Sequence, residues 1–412
     1  MANVGIIGYG VVGKAVEYGF KGRHEVRVYD KYLPSSPLEE VVAKSDVIFV
    51  TLPTPCKGNK IDLSIMDDNL EQISQLAHGS DKTIIIKSTV IPGTTAAYAA
   101  KYPDLKFCFN PEFLTEANPL QDFLNPDRLV MGSNDESDAL RVAALYRGVL
   151  PSAPILFSDP TSAEMTKYMA NALLATKVIF ANEVYDLCQK LGVDYEAVKR
   201  IVSLDERVGK SHLNVTPERG FGGKCLPKDL VALIGLYQDL EVDASILESV
   251  WDKNLRIRKV YDWEDIPFVK SDSRSGLITP ANVTMPRVHV AGSNGYTMGA
   301  QHANPRGISA EELSAYAIDS WLATERAFAI EMYEMCQKLG IDYTTVKNMV
   351  IADKRIPSGG LDIPHITRGS IKNLDSMLEL FHNLNVDSSL LSSVQSKDST
   401  PKNSEQILLS AD

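Results

Sequence analysis

Apolar runs alternate with helix-period segments along the N-terminal third of the chain. VGIIG (4–8), HEVRVYD (24–30), DVIFVTLP (46–53), KTIIIKST (82–89), KFCFNPE (106–112) and RLVMGS (128–133) read as strands rich in Val, Ile and Phe. Near-continuous apolar strands separated by helices are what a parallel sheet covered on both faces requires. The pattern predicts a doubly wound α/β domain over residues 1–135.

The period then changes. From Ser162 to Asp194 apolar residues recur at helical spacing without a proline, and further helical patterns run to about residue 260, so a helical domain is expected over 136–260. Residues 261–308 are rich in Gly, Pro and Ser, lack periodicity and read as an irregular linker. Beyond it the helical unit recurs. LCQKLGVDYEAVK (187–199) returns as MCQKLGIDYTTVK (335–347), and LEVDASILESV (240–250) as LNVDSSLLSSV (384–394). The first pair is offset by 335 − 187 = 148 and the second by 384 − 240 = 144, so four residues are missing from the loop region of the second copy. Residues 309–398 are therefore a degenerate repeat, and 399–412 a polar tail expected to be disordered. The fold class is α/β: a Rossmann-type doubly wound sheet, an all-helical central domain, and a second copy of that helical domain.

Composition narrows the classes. A net charge of −11 argues against a general binder of nucleic acid or membrane surfaces. There is no signal-like leader and no apolar run of membrane-spanning length, and the five cysteines form no CxxC pair. A reduced, cytoplasmic protein without a metal centre is expected.

Candidate chemistry falls at a few places. GYGVVG (Gly8, Tyr9, Gly10, Val11, Val12, Gly13) follows the first strand and opens a helix, where glycines allow a tight turn and close approach of a pyrophosphate to helix N–H groups. Asp30 ends the second strand, placed to accept from a ribose 2′-hydroxyl, and Lys31 follows it; NAD is favoured over NADP. Cys225 lies in GFGGKCLPKDL (220–230) between Lys224, Lys228 and Asp229; glycines give access and cations lower a thiol pKa, although free cysteines are commonly small buried hydrophobes. Lys167 and Asn171, four apart, share a helix face that continues as Leu174 and Val178, so the lysine either meets an anion or snorkels out. Glu112, Glu116 and Thr89 follow strands at the sheet edge where ligands bind, though acids at helix starts are also ordinary. In the second copy Gly369 stands for Cys225, Asn373 for Asp229, Ala315 for Lys167 and Asp319 for Asn171.

Taken together, GYGVVG, TLPTP, KSTVIPGTT, NPEFLTEANPLQDFLNPDRLVMG, AEMTKYMANALLATK and GFGGKCLPKD resemble, in order, the UDP-glucose/GDP-mannose dehydrogenase family. The resemblance implies an NAD-linked four-electron oxidation of a nucleotide-sugar 6-hydroxyl, UDP-glucose to UDP-glucuronate, for uronate and polysaccharide biosynthesis. It assigns Cys225 as nucleophile, through a thiohemiacetal and a thioester, and Lys167 and Asn171 as oxyanion donors. Asp229 and Thr89 would order a water, with Glu112 or Glu116 as base. Thr54, Thr89, Glu116 and Lys228 join the glycine turn and Asp30 as cofactor contacts. Phe113, Leu114, Phe221, Gly222, Lys167 and Asn171 would touch substrate. Family members carry a third, Rossmann-like domain, whereas here a second helical unit follows Asn254. In the family an arginine crosses from a partner subunit; Arg207 matches it and the degenerate copy keeps Arg355. An intrachain pseudo-dimer of helical domains, or otherwise a homodimer, is expected. A two-electron β-hydroxyacid dehydrogenase and a non-catalytic NAD or nucleotide-sugar binder are the competing readings.

Overall fold

A computed structural model describes residues 1–263, 307–357, 360–362 and 368–398. The linker expected over 261–308, apart from its ends, and the tail over 399–412 lie outside the described residues.

The N-terminal domain is a seven-stranded sheet in the order β2-β1-β3-β6-β7-β8-β9. Its strands are β1 (Asn3–Ile7), β2 (Glu25–Tyr29), β3 (Val47–Val50), β6 (Thr83–Ile86), β7 (Lys106–Phe109), β8 (Leu129–Gly132) and β9 (Ile155–Ser158). A small hairpin, β4 (Cys56–Lys57) and β5 (Lys60–Ile61), stands apart. All six expected strands form. VIFV and TIII, the central β3 and β6, are buried at every residue, which is why they carry no polar alternation. Covering the sheet are α1 (Val11–Phe20), α2 (Leu38–Lys44), α3 (Ser64–Leu76), α4 (Thr94–Lys101), α5 (Pro119–Leu124) and α6 (Glu136–Arg147). The chain leaves β1 for β2 on one side and returns to β3 on the other, so β1 and β3 flank the switch point where such sheets bind ligands.

Two features differ from the expected parallel sheet ending at residue 135. β8 pairs antiparallel to β7 through Phe109 and Gly132, and β9 continues the sheet parallel to β8. The sheet therefore extends to Ser158. Its last strand, ILFS, is a short, half-buried edge between prolines, too brief to show a period.

The helical units follow as α7 (Pro160–Leu191), α8 (Tyr195–Val202), α9 (Leu226–Asp239) and α10 (Ser245–Ile257), then α11 (Ala310–Leu339), α12 (Tyr343–Ile351), α13 (Arg368–Asn383) and α14 (Ser389–Asp398). α7 and α11 use the same punctuation. Asp159 and Ser309 cap their first turns, and Gly192 and Gly340 end them at φ 68° and 70°. Tyr195 donates to the Leu213 carbonyl (2.6 Å) as Tyr343 does to Leu361 (2.8 Å), so the register of 148 holds to Leu361 and the deletion lies between there and Asn373.

The two units pack face to face within the chain: α8 on α11, α12 on α7, and α10 on α14. The contacts are reciprocal. Glu183 of α7 accepts from the Leu390 (3.0 Å) and Leu391 (3.4 Å) amides that open α14, while Glu331 of α11 accepts from Ile246 (2.7 Å) and Leu247 (3.4 Å), opening α10. Lys253 reaches Asp387 at 3.2 Å and Glu183 at 4.0 Å; its counterpart Lys397 reaches Asp243 at 2.7 Å and Glu331 at 3.1 Å. Ser249 and Ser393, the same position in the two units, hydrogen-bond each other and mark a pseudo-two-fold axis. The described part of the chain is thus an intrachain pseudo-dimer. Replacing Glu331 by Ala strands two buried amides and removes a partner of Lys397. The expected loss is about 3 kcal/mol in urea unfolding of the full chain, with a similar loss for Glu183→Ala. A change below about 0.5 kcal/mol in both would show that the caps are dispensable.

Candidate active site

The site is built where the C-terminal ends of the sheet strands meet α7 and the loop before α9. The glycine turn closes after β1. Gly8 has φ +93°, and a Cβ on Gly13 would meet the Gly8 carbonyl at 2.2 Å, so α1 sits directly on the turn. Tyr9 N donates to Asp30 Oδ2 (2.7 Å), while Asp30 Oδ1 takes Tyr32 N (2.8 Å) and Leu33 N (3.1 Å). The first turn of α1 carries no side-chain cap, and Gly10 has open space where a Cβ would be. Uncapped helix N–H groups beside open space suit a pyrophosphate. These residues fit a dinucleotide. Lys31 stands exposed beside Tyr32, and Thr54 Oγ1 donates to the Thr89 carbonyl (2.7 Å), tying the two strand-end turns together.

Cys225 is the N-cap residue of α9 and is partly buried. The loop before it is anchored from several sides. Asn254 receives Phe221 N (2.8 Å) and donates to the Phe221 carbonyl (3.1 Å), and Asn182 Oδ1 takes Gly220 N (3.2 Å). Gly223 N donates to Asp262 (3.0 Å), and Glu116 from the sheet domain takes Lys224 N (2.8 Å). A Cβ on Gly222 would stand 2.2 Å from the side-chain ends of both Arg258 and Asp262, so the bonded Arg258–Asp262 pair would have to shift to admit one. Phe221 is buried against Trp251, which makes it a core anchor of the loop.

Around the cysteine, Lys167 Nζ lies 3.0 Å from Glu112 Oε1, both buried. The lysine therefore meets an anion. Asp229, also buried, accepts from Asn171 Nδ2 (2.6 Å) and pairs with Lys228 (2.6 Å). Burial raises the Glu112 carboxyl, but the Lys167 ammonium, the Leu114 amide and Lys87 together outweigh it and leave the group below its ordinary value. Burial pushes the Cys225 thiol up to about 11; Lys167 and Lys228 pull it down, against Glu112 and Asp229. The resting group is a thiol. The other four cysteines are buried.

Beside Glu112 a cavity of about 180 Å³ is lined by Lys87, Phe113, Leu114, Arg128, Asp353 and Arg355 among others. Arg355 comes from the second unit and is held by Asp353 (Nη2 to Oδ2, 2.7 Å). Arg207 is on the other side of the pseudo-axis, half exposed, bonded to Asp205 and in the field of Asp319. In the second unit Asn373 donates to Asp319, so the Asn171–Asp229 contact persists there with its two partners exchanged. Several residues carry no obvious sequence signal. Lys87 bonds Asn110 Oδ1 (2.9 Å), with burial pushing its pKa down to about 7. Asn254 and Asp262 hold the cysteine loop, and Arg128 and Asp353 wall the cavity.

A doubly wound dinucleotide sheet joined to a helical domain through a cysteine loop defines the class of two-domain, nicotinamide-linked dehydrogenase folds. Residues 15–150 match the NAD binding domain of the UDP-glucose/GDP-mannose dehydrogenase family, and residues 161–256 match its central domain. The UDP-glucose 6-dehydrogenase of Rickettsia prowazekii (strain Madrid E) is 38% identical over 215 residues, 51% of this chain and 49% of that protein. UDP-glucose 6-dehydrogenase YwqF of Bacillus subtilis (strain 168) is 36% identical over 225 residues, 52% and 49% of the two chains. A solved UDP-glucose dehydrogenase from Pyrobaculum islandicum is 32% identical, covers 62% of this chain and 68% of its own, and superposes with a TM-score of 0.57. The chain belongs to the UDP-glucose/GDP-mannose dehydrogenase family, with NAD as cofactor. It spans about half the length of the curated relatives it matches. No helix among the described residues is long and apolar enough to cross a membrane.

Alkylation by iodoacetamide should modify one cysteine, Cys225, at a rate that climbs with pH and shows no plateau below pH 10, because its thiol titrates at about 11. Lys167→Met removes a cation that lowers that value, so labelling at pH 8 should slow by roughly tenfold per unit of pKa gained. Unchanged or faster labelling would contradict this electrostatic picture.

Proposed function

We propose that the chain is an NAD-dependent nucleotide-sugar 6-dehydrogenase that takes a primary alcohol to a carboxylate, with UDP-glucose to UDP-glucuronate as the leading case. The observation that carries this reading is the gathering of Cys225, Lys167, Glu112, Asn171 and Asp229 at the edge of the NAD-binding sheet. The names of the relatives supply the substrate class. The overall change is RCH₂OH + 2 NAD⁺ + H₂O → RCOO⁻ + 2 NADH + 3 H⁺.

NAD, when bound, accepts a hydride in each of the two oxidations. Gly8, Tyr9, Gly10, Val11, Val12 and Gly13 would cradle its pyrophosphate, and Asp30 the ribose, with Lys31, Thr54 and Lys228 close by. Once the alcohol is an aldehyde, the Cys225 sulfur adds to its carbon and the carbonyl π pair moves to oxygen. The thiol proton ends on that oxygen, giving the thiohemiacetal. Lys167 and Asn171 donate to the oxygen while it is negative, a term of about 3 kcal/mol. Loss of the second hydride and the hydroxyl proton leaves the thioester. Water then adds to the carbon, the C–S bond breaks, and the sulfur regains a proton. Glu112, kept ionised by Lys167, is suited to take the proton from that water; Asp229 and Thr89 order it. Glu116 is occupied by the loop amide and acts by positioning. Phe113 and Leu114 line the sugar cavity, and Gly222 gives the loop its close approach. Arg355, at the cavity wall, serves this site; Arg207 does not.

Two NADH per UDP-glucose consumed, abolished by Cys225→Ser, is the expected result. NAD binding with no NADH from any nucleotide sugar would sink the proposal. Arg355→Ala should raise KM about tenfold or more while Arg207→Ala leaves it within about twofold. The reverse pattern would mean that sites are completed between chains.

A further inference from the structure

Arg128 stands just before β8 with its side chain 1% exposed, and its Nη1 reaches Asp353 Oδ2 of the second unit at 3.1 Å. Its guanidinium carbon lies 3.7 Å from the centroid of the Phe113 ring, a ring that also has Lys167 Nζ 5.6 Å away. Phe113 directly follows Glu112, the partner of Lys167. Asp353 also takes the backbone N of Arg355 (2.9 Å) and its Nε (2.9 Å). One buried carboxylate thus gathers two arginines, one from the sheet domain and one from the second unit. Lys354 strengthens the docking by pairing with Asp127 at 2.9 Å. The first unit's equivalent, Asp205, makes the same contacts to Arg207 (N and Nε, 2.9 Å each), but among the described residues it takes no arginine from another element.

We propose that Asp353 is a positioning residue for the Cys225 site, contributed by the unit that has no nucleophile. It holds Arg128 against Phe113, and so fixes the Glu112 turn against Lys167, while it aims Arg355 at the cavity. The arginines act on substrate only if the dehydrogenase reading holds; the fixing of the turn does not depend on it. Neutralising Asp353 leaves the buried Arg128 and the part-buried Arg355 without their shared anion, and the Phe113 stack loses its anchor.

The experiment compares Asp353→Asn with Asp205→Asn in the full chain. Hydrogen exchange of the amides at residues 112–115 should speed at least about fivefold in D353N and stay unchanged in D205N. With UDP-glucose, D353N should raise KM about tenfold with kcat changed far less, the pattern of lost binding rather than lost chemistry. Unchanged exchange at 112–115 in D353N, or equal acceleration by D205N, overturns the inference. If the wild type turns over no nucleotide sugar, the proposed activity fails while the exchange comparison still decides the role of Asp353. If D353N does not fold, Asp353→Glu keeps the charge and is read by the same exchange, expected to move in the same direction.

Discussion

The structure depends on a reciprocal burial of charge across its internal axis. Glu183 and Glu331 each leave their own helix to cap the first helix turn of the other unit, and Lys253 and Lys397 answer them. Charges this deep are tolerated only with a partner and hydrogen bonds on every side. The capped amides come from the opposite unit, and each lysine, which sits in the same unit as its glutamate, also reaches an aspartate of the other. Separating the units would leave the capped amides without their carboxylates and open the apolar cluster that the two units share, so the pairing stabilises both.

α7 turns that constraint into a site. Near its start Glu164 accepts from Gly93 N (2.6 Å) and Thr95 N (2.8 Å), fastening the helix to the mouth of α4 in the sheet domain. One turn on, Lys167 and Asn171 face the cysteine loop, and further along Glu183 engages the second unit. Between Ser162 and Val184 every residue is buried. A helix enclosed by the sheet domain and both helical units has no solvent face over this stretch, so Glu164, Lys167, Asn171 and Glu183, buried along it, are each bonded to a neighbouring element.

Much of this was legible in the residues. The strands, α7, the glycine turn and the repeat all announce themselves through period or identity. The offset arithmetic also separates the two units, because Tyr195 and Tyr343 keep one local hydrogen bond in both. What could not be read was anything that depends on two distant segments meeting. β9 is four residues with no period of its own. Arg128 and Asp353 lie 225 residues apart (353 − 128 = 225) and look like ordinary surface charges until the second unit is placed on the sheet domain. Nor does the sequence show that the ring of Phe221, a residue the resemblance assigns to substrate contact, packs against Trp251 in the core. Glu112 and Glu116 look alike in NPEFLTE; only the fold gives one to a lysine and the other to a loop amide.

The exchanged pair in the second unit has a consequence of its own. Asn171 with Asp229 became Asp319 with Asn373, so the donor and acceptor swapped sides while the contact survived. What persisted is complementarity, whereas the cysteine and lysine beside it were free to go. A unit relieved of chemistry but still bound to its twin by a peptide chain meets it at a concentration set by the tether. Dilution leaves that meeting untouched, and a wall that two separate chains would have to find by collision is here inherited at synthesis.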